Sequence, residues 1–298
     1  MDASTFFAAR RSVDTPSGRI SYVERGQGPA LVFVHGVLLN GYLWRQQLAE
    51  LSDTRRCIAV DLLAHGHTQV GDDQDVSVTA NAHMLAQFLD ALGLDRVDLV
   101  GNDSGGGICQ IFAALYPQRL RSLTLTNCDA HDNWPPEAFQ PFVAMVAAGG
   151  LPDTLRAMVD DKAVWRNALA PAYEQPQQVD DDSIDAYLRP FTDSPQRMRA
   201  LERFVNAFDC RHTLAVEDGL RRLQVPTLVA WGTDDVYFPL EWADWLQRTI
   251  PGTVRRVEFD GARIFFPEER AMDFNRHLRA HLDAVAAELD ALRAGAAA

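Results

Sequence analysis

Short apolar runs of β-forming residues alternate along the chain with segments whose apolar positions recur at helical spacing. That alternation predicts an α/β fold with a mostly parallel eight-stranded sheet covered by helices on both faces. Strands are predicted at Phe7 to Val13, Arg19 to Glu24, Ala30 to His35, Arg56 to Asp61, Val97 to Gly101, Leu120 to Asn127, Thr227 to Trp231 and Thr253 to Phe259. The runs Leu31-Val32-Phe33-Val34 and Leu228-Val229-Ala230-Trp231 show no polar alternation, as central strands buried on both faces require. The first two strands meet near Ser17-Gly18 and read as an antiparallel hairpin at a sheet edge. Helices are expected at Tyr42 to Leu51, Val78 to Leu92, Ser104 to Tyr116, Leu240 to Thr249 and Pro267 to Leu292, with Arg293 to Ala298 frayed.

From Asp132 to Thr213 the alternation stops and helix-forming stretches are punctuated by Pro135, Pro136, Pro152, Pro171, Pro176, Pro190 and Pro195. This segment reads as a helical lid inserted into one core domain, which would then comprise residues 1–131 and 214–298. Composition supports a globular chain: 47% hydrophobic and 23% charged over 298 residues. The net charge of -13 opposes nucleic acid and anionic membrane as partners, because both repel an acidic surface. Lys162 is the only lysine, and the arginines form no basic stripe. Cys57, Cys109, Cys128 and Cys210 lack metal or CxxC spacing, which predicts reduced thiols and a cytoplasmic protein without metal or cofactor. No apolar run reaches the roughly 18 residues of a membrane span. A small-molecule substrate is the expected partner, and a homodimer is left open.

The candidate chemistry lies at Val100-Gly101-Asn102-Asp103-Ser104-Gly105-Gly106. A sharp strand-to-helix turn that lifts a reactive side chain above a sheet needs small residues two before and two after it, since side chains there collide with backbone. With Asp103 at the tip those places are Gly101 and Gly105. A competing frame puts Ser104 there, flanked by Asn102 and Gly106, and a third reading is a glycine-rich helix start with no chemistry. Asp103 gives the better steric fit.

Together with Val34-His35-Gly36, Trp231-Gly232-Thr233-Asp234-Asp235 and Glu268-Glu269-Arg270, this turn resembles the α/β-hydrolase superfamily in order and spacing over nearly the whole chain. It is most similar to the branch with an aspartate nucleophile, which contains haloalkane dehalogenases and epoxide hydrolases. The resemblance implies that Asp103 is the nucleophile and that residues 132–213 form the lid. It further implies that Asp235, with Asp234 as its rival, is the acid that orients a histidine. It also implies that the loop after His35 brings the Val37 amide opposite the Ser104 amide to hold developing negative charge. His35 itself is read as a buried residue fixing that loop, and His65 and His67 as solvated.

One departure governs the chemistry. Where the superfamily usually reads Gly-Ala-x-His-Phe, this chain has Gly261-Ala262-Arg263-Ile264-Phe265. A carboxylate nucleophile attacks an sp3 carbon and forms an alkyl ester, whose release needs water activated by a base. General base help is worth typically about 10²–10⁴-fold, and Ile264 cannot supply it. His131, just past the sixth strand, is the alternative base, against a plain lid-hinge role. Dehalogenases usually have a tryptophan after the nucleophile, but Ser104 stands there. Tyr173 and Tyr187 are the lid tyrosines available for an epoxide hydrolase, and their polar context reads equally as surface. Trp134, Trp165, Phe139 and Phe142 either line an apolar pocket or pack lid onto core.

The preferred reading is an enzyme using Asp103 on a small or mid-sized apolar molecule. Its chemistry would be non-hydrolytic: acid- or base-assisted ring opening, cyclisation, elimination or isomerisation. The alternatives are a dehalogenase- or epoxide-hydrolase-like hydrolase working through His131, an introduced Ile264 that traps a covalent intermediate, and a ligand-binding protein on a hydrolase scaffold.

Overall fold

A computed structural model of the protein describes residues 1–296; Ala297 and Ala298, within the stretch expected to fray, lie outside the described residues. Eight strands form one sheet: β1 (Arg10–Thr15), β2 (Gly18–Arg25), β3 (Ala30–Val34), β4 (Arg56–Val60), β5 (Val97–Asp103), β6 (Leu120–Cys128), β7 (Thr227–Gly232) and β8 (Thr253–Phe259). Their order is β1-β2-β4-β3-β5-β6-β7-β8. β1 pairs antiparallel with β2, and β2 antiparallel with β4, while β4, β3, β5, β6, β7 and β8 run parallel. The two apolar runs singled out in the sequence are β3 and β7, buried at every position. Edge strands β1 and β8 are largely half-exposed or exposed.

The helices are α1 (Ala3–Ala8), α2 (Arg45–Leu51), α3 (Val78–Ala91), α4 (Ser104–Leu115), α5 (Gln140–Ala147), α6 (Leu151–Asp160), α7 (Lys162–Ala168), α8 (Asp181–Thr192), α9 (Pro195–Asn206), α10 (Arg211–Leu214), α11 (Glu217–Leu220), α12 (Leu240–Thr249), α13 (Phe266–Glu269) and α14 (Ala271–Ala296). Several begin on a side-chain cap that takes an otherwise orphaned amide. Asp180 Oδ1 accepts from the Ser183 N–H at 2.7 Å at the start of α8, and Ser194 Oγ accepts from the Arg197 N–H at 3.3 Å at the start of α9.

Two predicted elements differ. Phe7 to Val13 does not begin as a strand, because Asp2 caps α1 by accepting from the Thr5 N–H at 2.8 Å and Phe6 turns into the core; the strand starts at Arg10. The last helix is two pieces, α13 and α14. α5 to α11, from Gln140 to Leu220, all lie between β6 and β7. No single described helix is long and apolar enough to cross a membrane.

Candidate active site

The end of β5 turns abruptly into α4 at Asp103, whose φ of 57° and ψ of -136° place a non-glycine residue in a sparsely populated region. Such a conformation costs about 1–3 kcal/mol and persists only where the surroundings over-determine it. Here they do. A Cβ on Gly101 would sit 2.7 Å from the Gly105 oxygen, and one on Gly105 would sit 2.2 Å from the His35 oxygen. Asp103 therefore occupies the tip, and Ser104 is the first residue of α4, buried, with its Oγ unpartnered. Asn102, the flanking residue in the Ser104 frame, ties neighbouring elements together instead, since its Nδ2 donates to Thr126 Oγ1 and to the Ile264 carbonyl, both at 2.9 Å.

The Val37 N–H donates to Asp103 Oδ2 at 2.9 Å, so the loop after β3 reaches the tip. His35 holds that loop. It is fully buried, accepts from the Leu62 N–H through Nε2 at 3.1 Å and lies 2.8 Å from the Gly36 oxygen through Nδ1, which therefore carries the proton. Burial depresses its pKa to about 4, keeping the ring neutral. His65, expected in solvent, is buried, with ring centroids 4.7 Å from Phe204 and 5.8 Å from Phe191 of the helical insert.

Asp235 is buried in the turn after β7, whereas its rival Asp234 is exposed and paired with Arg263 at 3.4 Å. No imidazole meets Asp235. Its Oδ1 accepts from the Tyr237 N–H at 2.8 Å and the Phe238 N–H at 3.3 Å, and its Oδ2 from Asn127 Nδ2 at 2.7 Å. Ile264 occupies the site-facing position of the following loop, 3% exposed, with its backbone tied to Asn102. The loop is held in place; only the side chain lacks a proton acceptor.

Asp103 faces a small cavity of about 40 Å³. Val37, Leu38, Asp129 and Ile264 line it from the core, and Phe139, Leu169, Ala172 and Phe208 from the insert, with Tyr237, Phe238 and Phe265 completing an aromatic wall. Burial raises the Asp103 carboxyl from an ordinary 3.8 to about 7; the Val37 and Ser104 amides oppose the rise and the Asp235 charge adds to it. Burial likewise lifts Asp235 to about 7, against the pull of its amide donors and Asn127.

Sequence reasoning missed two residues here. Asp129, one position past β6, is 1% exposed, lines the cavity and has an unpartnered Oδ1; burial and then the Asp103 charge push its pKa well above 3.8. Tyr237 lines the cavity from the β7 turn, its phenol pushed up by burial and then by Asp235 and Asp103. The signal for both is their place at carboxyl ends of adjacent parallel strands, where sites form in such sheets.

His131 is not brought to this group. It pairs with Glu217, stacks on Trp245 at 5.1 Å between centroids, and its carbonyl accepts from Thr213 Oγ1 at 2.5 Å. Trp134 is buried behind the cavity wall, 2.5 Å from where a Cβ on Gly107 would stand, and packs on Phe208. Tyr173 and Tyr187 are neither surface residues nor cavity residues: both are fully buried and donate to Glu268, at 2.9 Å and 2.8 Å. Among the described residues no group of three or more His, Cys, Asp or Glu is arranged to hold a metal ion.

The α/β-hydrolase fold family matches residues 29–270, and the chain belongs to it. Haloalkane dehalogenase 2 from Mycobacterium tuberculosis is 28% identical over 271 residues, covering 87% of this chain and 90% of that one. Cis-3-alkyl-4-alkyloxetan-2-one decarboxylase from Shewanella oneidensis is 27% identical over 240 residues, covering 77% and 74%. The crystal structure of epoxide hydrolase VrEH1 from Vigna radiata superposes with a TM-score of 0.74 at 19% identity, covering 92% and 98%, which is a likeness of fold.

Proposed function

We propose that the protein is an enzyme in which Asp103 acts on a small or mid-sized, largely apolar organic molecule under a helical lid, by acid–base rather than hydrolytic chemistry. The observation that carries this reading is a buried carboxyl with a pKa near 7 in a cavity it shares with aliphatic Ile264, the position where the family resemblance leads one to expect an imidazole. A group with a pKa near the working pH both gives and takes a proton, and general acid–base help contributes about 10²–10⁴-fold. The Val37 and Ser104 amides favour negative charge at Asp103, while burial opposes it, and the two together set its proton affinity. One relative is named for the decarboxylation of an alkyl-substituted oxetan-2-one, so non-hydrolytic turnover on this scaffold has a precedent in name.

The test separates release from attack. The protein is incubated with alkyl halides, epoxides and dialkyl oxetan-2-ones, and products and intact mass are followed. Ring-opened, eliminated or decarboxylated products without bulk hydrolysis are expected, lost on Asp103→Asn. Multiple-turnover release of halide with alcohol, or of diol, by the unaltered protein overturns the reading. A covalent second version is favoured by Asp103 Oδ2 already resting on the Val37 amide: attack on carbon forms the C–O ester bond as the halide departs with its electron pair. A mass adduct on Asp103 that persists, and is discharged by Ile264→His, identifies that version.

A further inference from the structure

The cavity has a charge problem that its own residues do not solve. Asp103 and Asp129 line it, Asp235 stands directly behind, and none of the residues lining it is Lys, Arg or His. The nearest cation to act on the group is Arg263, which reaches only Asp235, as the weakest influence on that carboxyl, and is itself paired with exposed Asp234. Asp235 is fully engaged by two amides and Asn127, and Asp103 has Val37, but Asp129 keeps Oδ1 free in a residue 1% exposed. A buried carboxyl oxygen without a partner is an unfavourable arrangement, and a ligand that donates to it would complete it. The remaining walls are aromatic: Phe139, Phe208, Tyr237, Phe238 and Phe265. Carboxylates set among aromatic faces are the surroundings that attract an organic cation, through charge-assisted hydrogen bonds and through ring quadrupoles.

We propose that the cavity selects organic cations, with Asp129 and Asp103 holding an alkylammonium head and the aromatic and aliphatic walls taking its apolar body. The inference rests on reading this cavity as the substrate site and names the class of molecule that site takes. It also explains the retention of Asp129, for which the acid–base reading alone has no use. The titratable groups facing the head are Asp103, Asp129 and Tyr237, with Asp235 behind them and the Cys128 thiol beside Asp129. An incoming cation favours their ionised forms, so binding releases protons near neutral pH.

Isothermal titration calorimetry with hexylammonium and with 1-hexanol, in buffers of different ionisation enthalpy, tests this without any turnover. The expected result at about pH 8 is an ammonium at least about tenfold tighter than the alcohol, a difference of about 1.4 kcal/mol, with net proton release on binding. Asp129→Asn, confirmed folded by circular dichroism, is expected to bring the ratio close to one while leaving 1-hexanol affinity unchanged. Equal affinities for the two probes on the unaltered protein overturn the proposal, as does a preference that survives Asp129→Asn. Because the readout is binding, the outcome is separate from the fate of the acid–base reading: products from neutral substrates without ammonium preference defeat only this inference, and ammonium preference without any product or adduct defeats only the other.

Discussion

Two clusters of acid in this molecule, one at the seam between core and insert and one at the cavity, are built on opposite principles. At the seam between core and insert, Glu268 is saturated. It accepts from Tyr173 and Tyr187, pairs with Arg45, and Arg45 lies 4.4 Å from the centroid of the Tyr42 ring. Glu269 beside it accepts from the Glu174 and Gln175 amides at 2.9 Å and 2.8 Å, and Arg270 grips Glu174 at 2.7 Å, so α13 fastens the insert to the core. At the cavity, Asp103, Asp129 and, just behind them, Asp235 are met by amides and one amide side chain, and no Lys, Arg or His lines the cavity. Saturation makes the first cluster a clamp whose acids are already matched by donors within the protein. Deprivation leaves the second with protons to exchange and a carboxylate to fill, which is what a reactive site needs and a structural one avoids.

The contrast is sharpest under substitution. Glu268→Gln leaves Arg45 as a buried charge with side-chain exposure of only 12%, and removing one partner of a buried pair costs about 3–5 kcal/mol. A large fall in urea midpoint is expected, together with increased proteolysis of residues 137–220 as the insert loosens. In the cavity the same kind of change has the opposite sign. Asp103 and Asp235 hold protons in the folded state up to about pH 7 that the unfolded chain has released by about pH 4, so their contribution is full below about pH 4 and is lost as pH rises through 7. Asp103→Asn removes the Asp103 share of that dependence. The variant is expected to be more stable than the unaltered protein at pH 8, by on the order of 2–4 kcal/mol, with the advantage fading toward pH 4. His35, held neutral with a pKa near 4, loses stability as pH falls from 6.5 and so opposes this trend, but it is common to both proteins and cancels in their difference. Denaturation curves of the pair across pH 4–8 measure it; a destabilised Asp103→Asn at pH 8 would erase the distinction between the clusters.

How much of this is legible in the sequence follows from where each residue's neighbours lie along the chain. β3 and β7 are readable because burial on both faces leaves unbroken apolar runs, and Asp103 because the glycines two places either side record a local steric demand. Ile264 stands out only against the family resemblance, because the flanking Gly261-Ala262 and Phe265 keep the register of that pattern. Asp129 is hidden, since its meaning depends on β5 and β6 ending side by side, with Asp103 opposite Cys128. Tyr173 and Tyr187 look like surface because their local context is acidic, while the acid that holds them, Glu268, lies 95 and 81 positions away. α1 is masked by the β-forming Phe6 and Phe7, whose preference the Asp2 cap overrides. His65 misleads for the same reason as the tyrosines: Phe191 and Phe204, which cover it, come from the insert.

A smaller effect tests the boundary of the cavity cluster. Tyr237 adds a phenol to the wall beside Asp103 and Asp235, and Tyr237→Phe keeps the ring while removing the hydroxyl. If the phenol donates a proton to the bound molecule, the variant loses product formation by about 10²-fold with little change in binding; if it only lines the wall, both stay within about twofold.

The smallest effect is expected at His131, and it decides whether the base has really gone. Its ring pairs with Glu217 and stacks on Trp245, with side-chain exposures of 33% and 18% for the pair. A partly exposed side-chain pair of this kind contributes about 0.2–1 kcal/mol, so His131→Gln should lower the unfolding midpoint slightly and nothing more. Adduct formation or product release at Asp103 should be unchanged, because neither His131 nor its partner lines the cavity. The competing view, that His131 swings in to activate water, requires the ring to abandon both Glu217 and Trp245. It makes a different demand on the same experiment: His131→Gln would then slow turnover by at least about tenfold, and would leave any ester on Asp103 longer-lived than in the unaltered protein.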